Sequence, residues 1–390
     1  MRILHTSDWH LGKKLESLSR LSEQQAVLNG MVQLVDKENV ELVLISGDIF
    51  DTFVPSSEAE ALFYDTMYKL TNLGVAVAII SGNHDDPLRL AASKQLTKLN
   101  GVFFSGSNEE YTTSKFGRIS LVAGGSDYLI FKNEGGESVY VAMLPYPTEY
   151  RMKENAVEGE TFDQKVKRYL DAATCKNVDN LPLVVMAHIF MLGGERSESE
   201  RQIELGGTRI LDKSILPINA SYVALGHLHK RQIIDKDRNI LYSGSLLQYS
   251  FDESKYKKSV TIFDLVGDRV ENLREVELEN YIKLERLSAD GFENALQLLE
   301  NHKDNIVELK INLDTPPTSD QIKLIATKYP LCFAKYSYSI GEKSQKTRAL
   351  MSNEELFIEF YKQTYGSEPK QELLDLFLNY MNKIEVEDET

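Results

Sequence analysis

Five of the chain's seven histidines stand beside Asp, Asn or Gly at the ends of apolar runs: Asp8-Trp9-His10, Gly82-Asn83-His84-Asp85, His188 and Gly226-His227-Leu228-His229, with Gly47-Asp48 completing the set. Carboxylates, an amide oxygen and imidazoles, without thiolates, are donors for hard and borderline divalent cations. There are enough of them for two ions. Paired ions polarise a phosphoryl oxygen and lower the pKa of a water, so hydrolysis at a phosphorus centre is the first chemistry to expect.

Each donor is expected where a strand ends. In extended backbone Asp8 and His10, two apart, point to one face, and Trp9 points away into packing. Gly47-Asp48 directly follows an apolar strand, which puts Asp48 at the carboxyl edge of a sheet, where open α/β folds bind ligands and where one carboxylate can bridge two cations. Asp51 can assist there or cap the helix that follows. Asn83 offers a neutral oxygen, His84 can protonate a leaving oxygen or stabilise phosphoryl charge, and Asp85 can orient the His84 ring. His188, His227 and His229 close two further strands, while His5 and His302 are read as structural.

The elements that must hold these residues alternate strand and helix over the first 270 or so residues, as in layered α/β folds. Strands are expected at Arg2–Thr6, 41–46, 75–80, 183–187 and 222–225, and helices at 22–37 and 56–73, the second opened by serines suited to capping. Residues 240–243 and Ser259–Val266 read as strands of a second, more antiparallel sheet. The expected fold is a two-sheet sandwich flanked by helices, spanning 1–274. A small α+β cap domain follows at 275–340, with strands at 281–287, Ile306–Leu313 and 331–339 and helices near 292–300 and 319–327. Residues 341–352, polar over 341–347, read as a linker before a helical segment at 353–384. That segment breaks at Gly366-Ser367 and precedes an acidic tail at 385–390. Leu356, Phe357, Phe360, Tyr361, Leu373, Leu376, Phe377 and Tyr380 recur there at helical spacing, a face that either docks on its own chain or binds another protein.

Composition narrows the class. At 390 residues, with 42% hydrophobic and 26% charged, the chain reads as an ordinary globular protein of two or three domains. A net charge of −15 argues against a stand-alone module that grips DNA by a broad basic surface, yet leaves a metal-dependent nuclease open, because cations offset clustered carboxylates and a partner can supply basic surface. Lys13, Lys14 and Arg20 near the first donor loop can contact phosphates or simply face solvent. Cys175 and Cys332 are too few and too far apart for a disulfide framework. Neither a signal peptide nor a membrane-length apolar run is visible, which points to the cytoplasm and to no membrane partner.

Asp-x-His, Gly-Asp, Gly-Asn-His-Asp, a lone His and Gly-His-x-His, in this order, resemble the calcineurin-like metallophosphoesterase superfamily. Within it, Thr6 to Gly12 (Thr-Ser-Asp-Trp-His-Leu-Gly), Ser46 to Asp51 (Ser-Gly-Asp-Ile-Phe-Asp) and Tyr242 to Ser245 (Tyr-Ser-Gly-Ser) look like the bacterial SbcD nuclease family, whose members work with the ATPase SbcC. The resemblance implies one Mn²⁺ on Asp8, His10, Asp48 and His229 and a second on Asp48, Asn83, His188 and His227, with Mg²⁺ or Fe²⁺ as alternatives and His84 as the catalytic imidazole, assisted by Asp85. It further implies DNA as substrate, exonuclease action at duplex ends, endonuclease action on single strands or hairpins, a homodimer, and terminal helices that grip the ATPase. No Gly-x-x-x-x-Gly-Lys-Ser/Thr loop occurs, so this chain has no expected nucleotide site.

Two positions depart from relatives: Asp51 stands where archaeal and eukaryotic nucleases carry His, and Leu246 follows Gly244-Ser245 where proline is common. The competing expectation is a phosphatase or small-molecule phosphodiesterase of the same superfamily. Protein phosphatases of this type read Gly-Asp-x-x-Asp-Arg-Gly, and their substrate-gripping Arg has no counterpart after Asp51. A scaffold with a dead site is disfavoured, because every expected donor is present.

Overall fold

Short apolar runs such as Leu42-Val43-Leu44-Ile45 are hydrophobic on both sides, the pattern of strands covered on both faces. The computed structural model describes residues 1–91, 100–105, 111, 113–148, 159–200, 209–338, 352–365, 368–371 and 373–378. The chain forms two compact units, Met1–Arg286 with Asp304–Glu308, and Leu287–Lys303 with Leu309–Thr390.

In the first unit a six-stranded sheet runs in the order Arg269–Glu277, Ser259–Val266, Arg2–Thr6, Leu42–Ser46, Ala76–Ile80, Val102–Phe104. An eight-stranded sheet runs Gln232–Asp235, Ile240–Tyr242, Ala220–Gly226, Leu183–His188, Ser138–Leu144, Tyr128–Asn133, Ile119–Gly124, Ser114–Phe116. Leu42, Leu44, Ala76, Ala78 and Ile80 meet Val184, Met186 and Ala224 in the core between the sheets. Their neighbours Val43, Ile45, Val77 and Ile79 turn the other way, onto Val27, Met31, Phe63 and Met67 of the helices Leu21–Lys37 and Ser57–Asn72. On the far side of the second sheet, Tyr140, Ala142, Val185 and Ala187 pack on Val166 and Leu170 of the helix Phe162–Thr174. Each fully buried aliphatic side chain in these layers contributes roughly 1.5–3 kcal/mol relative to exposure. The architecture is the expected two-sheet α/β sandwich flanked by helices.

One expectation is corrected. Ile240–Tyr242 and Ser259–Val266 do not share a sheet: the first lies parallel to Ala220–Gly226 in the eight-stranded sheet, and the second lies antiparallel to Arg2–Thr6 in the six-stranded one. Strand propensity marks both segments, but the choice of neighbour is made by tertiary packing, in which Phe263 enters the core between the sheets and Ile240 enters the outer core. The antiparallel run from Ser114 to Leu144 and the helix Phe162–Thr174 were outside the expected elements.

Beyond residue 280 the expected β-α-β-α-β order is present, with strands Leu284–Asp290, Ile306–Leu313 and Cys332–Tyr338 in one sheet and helices Phe292–Asn301 and Ser319–Lys328 between them. The first strand starts three residues later than expected, at Leu284. Thr318 opens the second helix through a reciprocal capping box with Gln321. In the helix Asn353–Tyr365, Phe357 stacks on Phe377 with ring centroids 4.1 Å apart, whereas Phe360 and Leu376 remain 61% and 65% exposed. The expected polar linker, the Gly366-Ser367 break, Tyr380 and the acidic tail lie outside the described residues. Among the described residues no helix is long and apolar enough to cross a membrane.

Candidate metal centre

The parallel strands of both sheets release their donors on the same edge. Arg2–Thr6 leads to Asp8 and His10, Leu42–Ser46 to Asp48, and Ala76–Ile80 to Asn83 and His84. Leu183–His188 ends on His188, and Ala220–Gly226 leads to His227 and His229. Glycine makes that convergence sterically feasible. A Cβ on Gly226 would stand 1.9 Å from the Ser46 carbonyl oxygen, and one on Gly82 would stand 2.0 Å from Asp48 Oδ1.

The backbone reaches the edge differently from the extended geometry expected for Asp8 and His10. Asp8, His10 and Asp48 adopt φ of 53°, 44° and 52°, and His227 adopts 109°. These left-handed conformations are costly for residues with a Cβ and concentrate at functional sites. Asp8 and His10 do face one cluster, but through this tight turn, in which the buried Trp9 ring packs away and donates from Nε1 to Thr6 Oγ1 at 3.0 Å.

All of the expected donors come together. Donor atoms of Asp8, His10 and His229 lie within 4.8 Å of one another, as do those of Asp8, Asp48 and His188. Asp48 Oδ2 lies 3.5 Å from both His10 Nε2 and His188 Nε2. The Asn83 amide oxygen lies 3.0 Å from both His188 Nε2 and His227 Nδ1. The nearness of His10 Nε2 to His229 Nε2, 2.9 Å, brings together two nitrogens that can both serve as lone-pair donors. Buried oxygen and imidazole donors converging in this way, without sulfur, fit two divalent cations. Donor atoms of His84, His10 and Asp48 also lie within 4.8 Å of one another.

Electrostatics follow from burial. Burial pushes the Asp8 carboxyl up to about 7, even against the pull of His188 and His229. Burial opposes charge on His188, but the adjacent Asp48 carboxylate overrides it and raises the imidazole to about 9. Asp48 itself is held well below the usual carboxylate range: burial acts against its charge, and His188 and His84 outweigh that. His10 is pushed down to about 3 by burial.

Surrounding hydrogen bonds fix the donors. Asp8 accepts from the His227 amide at 3.0 Å and from Ser7 Oγ. His188 Nδ1 is held 2.7 Å from the Ser46 carbonyl, so Nε2 faces the cluster. The expectation that Asp85 orients His84 is corrected. Asp85 instead accepts backbone N–H groups from Ile49, Phe50 and Gly82 at 3.1, 3.0 and 2.8 Å, tying two donor loops together. His84 Nδ1 bonds to the Asp51 carbonyl at 2.7 Å.

Ser56, not Asp51, caps the helix that follows, and Asp51 Oδ1 lies 2.8 Å from Lys13 Nζ and 3.3 Å from His10 Nδ1. Arg20 is fully buried against Glu23 and cannot be a surface phosphate contact. Leu246, at the position where relatives carry proline, is buried in the core, while Gly244 at φ 80° lets the loop approach His229 and Arg231. Sequence reasoning missed Gln24, whose amide donates to the His10 carbonyl at 2.8 Å and to Tyr249 OH at 2.8 Å. It also missed Ser199, Glu253 and Lys258 behind His229. No spacing signal marks them, because Ser199 meets Glu253 and Lys258 only through the tertiary fold.

The fold and this donor edge define a calcineurin-like phosphoesterase, and the profile of that family matches residues 1–231. The chain belongs to it, and within it to the SbcD family of nuclease subunits. It is 35% identical to the SbcD component of nuclease SbcCD from Bacillus subtilis, covering 100% of both chains. Identity is 33% to the SbcD of Rhodobacter capsulatus, over 75% of this chain and 72% of the relative. The Escherichia coli K12 protein of the same name is 29% identical over 70% of this chain and 68% of its own. The chain is thus a phosphoesterase of a nuclease family, with a candidate metal-binding site.

Proposed function

We propose that this protein is the nuclease subunit of an SbcCD-type complex, hydrolysing DNA phosphodiesters at duplex ends and in single-stranded or hairpin DNA. The observation that carries the reading is the convergence of seven donor residues from the strand ends of both sheets, with Asp48 between the two halves. Asp8, His10, Asp48 and His229 would hold one Mn²⁺ and Asp48, Asn83, His188 and His227 the other. Bound there, the ions would supply Lewis acidity toward the scissile phosphate and an activated water. Magnesium or iron are the alternatives to test by reconstitution.

The chain's own residues supply the remainder. With two four-donor sets filled and Asp48 shared, His84 is left for proton transfer. Its Nδ1–H, donated to the Asp51 carbonyl, fixes the ring so that Nε2 handles the proton of the leaving 3′ oxygen. Asp85 holds the loops of Asp48 and His84 in register. The exposed Phe360 and Leu376 would bind an SbcC-type ATPase, which would also bring ATP dependence and add basic surface to this acidic chain. A homodimer, a cytoplasmic setting, and a division into nuclease domain (1–274), cap (275–340), linker (341–352) and partner-binding helices (353–384) complete the proposal.

The test is cleavage of hairpin-ended duplex DNA with Mn²⁺, with and without the ATPase partner, beside phosphoserine peptides and cyclic nucleotides. Hairpin opening is expected. Intact DNA with rapid turnover of the small phosphoesters would move the assignment to a phosphatase or small-molecule phosphodiesterase.

A further inference from the structure

A charged pair lies buried behind His229 and takes no direct part in the donor cluster. Glu253 and Lys258 are 0% and 2% exposed and form an ion pair of 2.5 Å. Taking two charges out of water is costly, and here the opposite charge and the satisfied hydrogen-bonding groups around the pair offset that cost. Lys258 Nζ also donates to the His229 carbonyl and to Ser245 Oγ, both at 2.8 Å. Glu253 Oε1 accepts from Ser250 Oγ at 2.9 Å and from Ser199 Oγ.

Ser199 joins this pair to the cluster. Its hydroxyl also lies in hydrogen-bond contact with His229 Nδ1, whereas Glu253 Oε1 is 3.6 Å from that nitrogen, beyond a direct bond. Proton inventory sets the direction. An ionised carboxylate only accepts, so the single Ser199 proton goes to Glu253, and the serine lone pairs face His229, whose Nδ1 must then carry the hydrogen. Ser197 Oγ, 2.9 Å from Ser199 Oγ, can donate to the remaining lone pair. His229 Nε2 is thereby the atom turned to the donor cluster, 2.9 Å from His10 Nε2.

We propose that Ser199 and Glu253 are positioning residues for the metal centre: the chain Glu253–Ser199–His229 Nδ1–H fixes the tautomer and aim of His229, so that Nε2 serves as a ligand beside Asp8 and His10. Lys258 holds the Glu253 carboxylate in place through their ion pair. This rests on the two-cation reading of the site. Partners of this kind typically contribute ten- to hundredfold in metal affinity.

The test is Mn²⁺ titration of the full chain, followed by the electron paramagnetic resonance signal of the free ion, for wild type, Ser199→Ala and Ser199→Thr. Ser199→Ala is expected to weaken one of two Mn²⁺ sites by about tenfold or more, whatever fall in the metal-free melting temperature accompanies it, and Ser199→Thr is expected to restore affinity. A purely structural serine would lower the melting temperature and leave Mn²⁺ binding alone. Should Ser199→Ala fail to fold, Glu253→Met combined with Lys258→Met removes the acceptor without stranding a charge and should show the same weakened site. Wild-type affinity in the altered chains overturns the inference and leaves the metal centre standing. A wild type that binds no Mn²⁺ overturns both.

Discussion

The backbone amide of His84 donates to Asp48 Oδ1 at 2.9 Å, so the loop after one strand is locked to the carboxylate supplied by its neighbour. The other oxygen of that carboxylate faces His10 and His188. Asp48 thus contacts both halves of the centre, whereas His84 approaches from one side. Asp48→Asn should reduce bound Mn²⁺ below two per chain and lower DNA cleavage by about hundredfold or more. His84→Ala should keep both ions while kcat falls by about 10²–10⁴. Metal counting by mass spectrometry beside a cleavage assay separates the two, and loss of an ion from His84→Ala would make that histidine a ligand.

Asp85 should behave as a structural clamp. Its carboxylate satisfies three backbone N–H groups from two loops, and removing a buried acceptor costs about 1–3 kcal/mol for the group left unsatisfied. Asp85→Ala is therefore expected to lower the melting temperature of the metal-free chain, which His84→Ala should not do. Equal melting temperatures for Asp85→Ala and wild type would return Asp85 to a purely catalytic account.

The difference between these two neighbours marks how far the sequence can be read. Gly47-Asp48 and Gly82-Asn83-His84-Asp85 are recognisable because a strand must end before them and both types of donor suit a cation. The roles of adjacent side chains are not recognisable, because which backbone N–H faces Asp85 depends on a loop 36 residues away. Trp9 was legible as packing. The left-handed turn that aims Asp8 and His10 was not, since neither residue type demands φ near 50°. Leu42–Ser46 and Ala76–Ile80 announced themselves as continuous apolar runs, while Ile119–Gly124 and Tyr128–Asn133 carry interrupted, partly exposed patterns that pairing completes. The relay through Ser199 and Glu253 leaves no local signature at all.

Opposite outcomes are expected for two glycines. Gly226→Ala would drive a Cβ to 1.9 Å from the Ser46 carbonyl, a backbone atom with no freedom to retreat, so that chain should be poorly folded or lose metal binding. Gly30 lies inside the helix Leu21–Lys37, where a Cβ meets only the Asn280 side-chain nitrogen at 3.4 Å. Gly30→Ala should stabilise by about 0.5–1 kcal/mol through helix propensity. Thermal melts of both variants decide the matter.

Arg20 offers a test of burial against charge. It donates to Glu23 Oε2 at 2.9 Å and to the Gln248 carbonyl at 3.0 Å, and Glu23 in turn accepts the Ile282 amide at 2.8 Å. Breaking such a buried pair from one side costs about 3–5 kcal/mol. Arg20→Ala should destabilise the chain to that degree while leaving the salt dependence of DNA binding unchanged. A phosphate contact would instead lower the salt slope by about one. The exposed Lys14 is the comparison residue for that measurement.

Cation binding should also be visible without catalysis. An ion that binds only the folded chain stabilises it by about 2.7 kcal/mol per site at a hundred times Kd. The donors come from five separate strand ends, and unfolding disperses them, so the folded chain is the favoured binding form. Mn²⁺ should therefore raise the melting temperature by several degrees, chelation should reverse the shift, and Asp48→Asn, which sits between both donor sets, should lose most of it. His84→Ala should keep the full shift with little cleavage, since its proposed role begins only when substrate is present. A shift of wild-type size in Asp48→Asn would place the cations elsewhere on the chain.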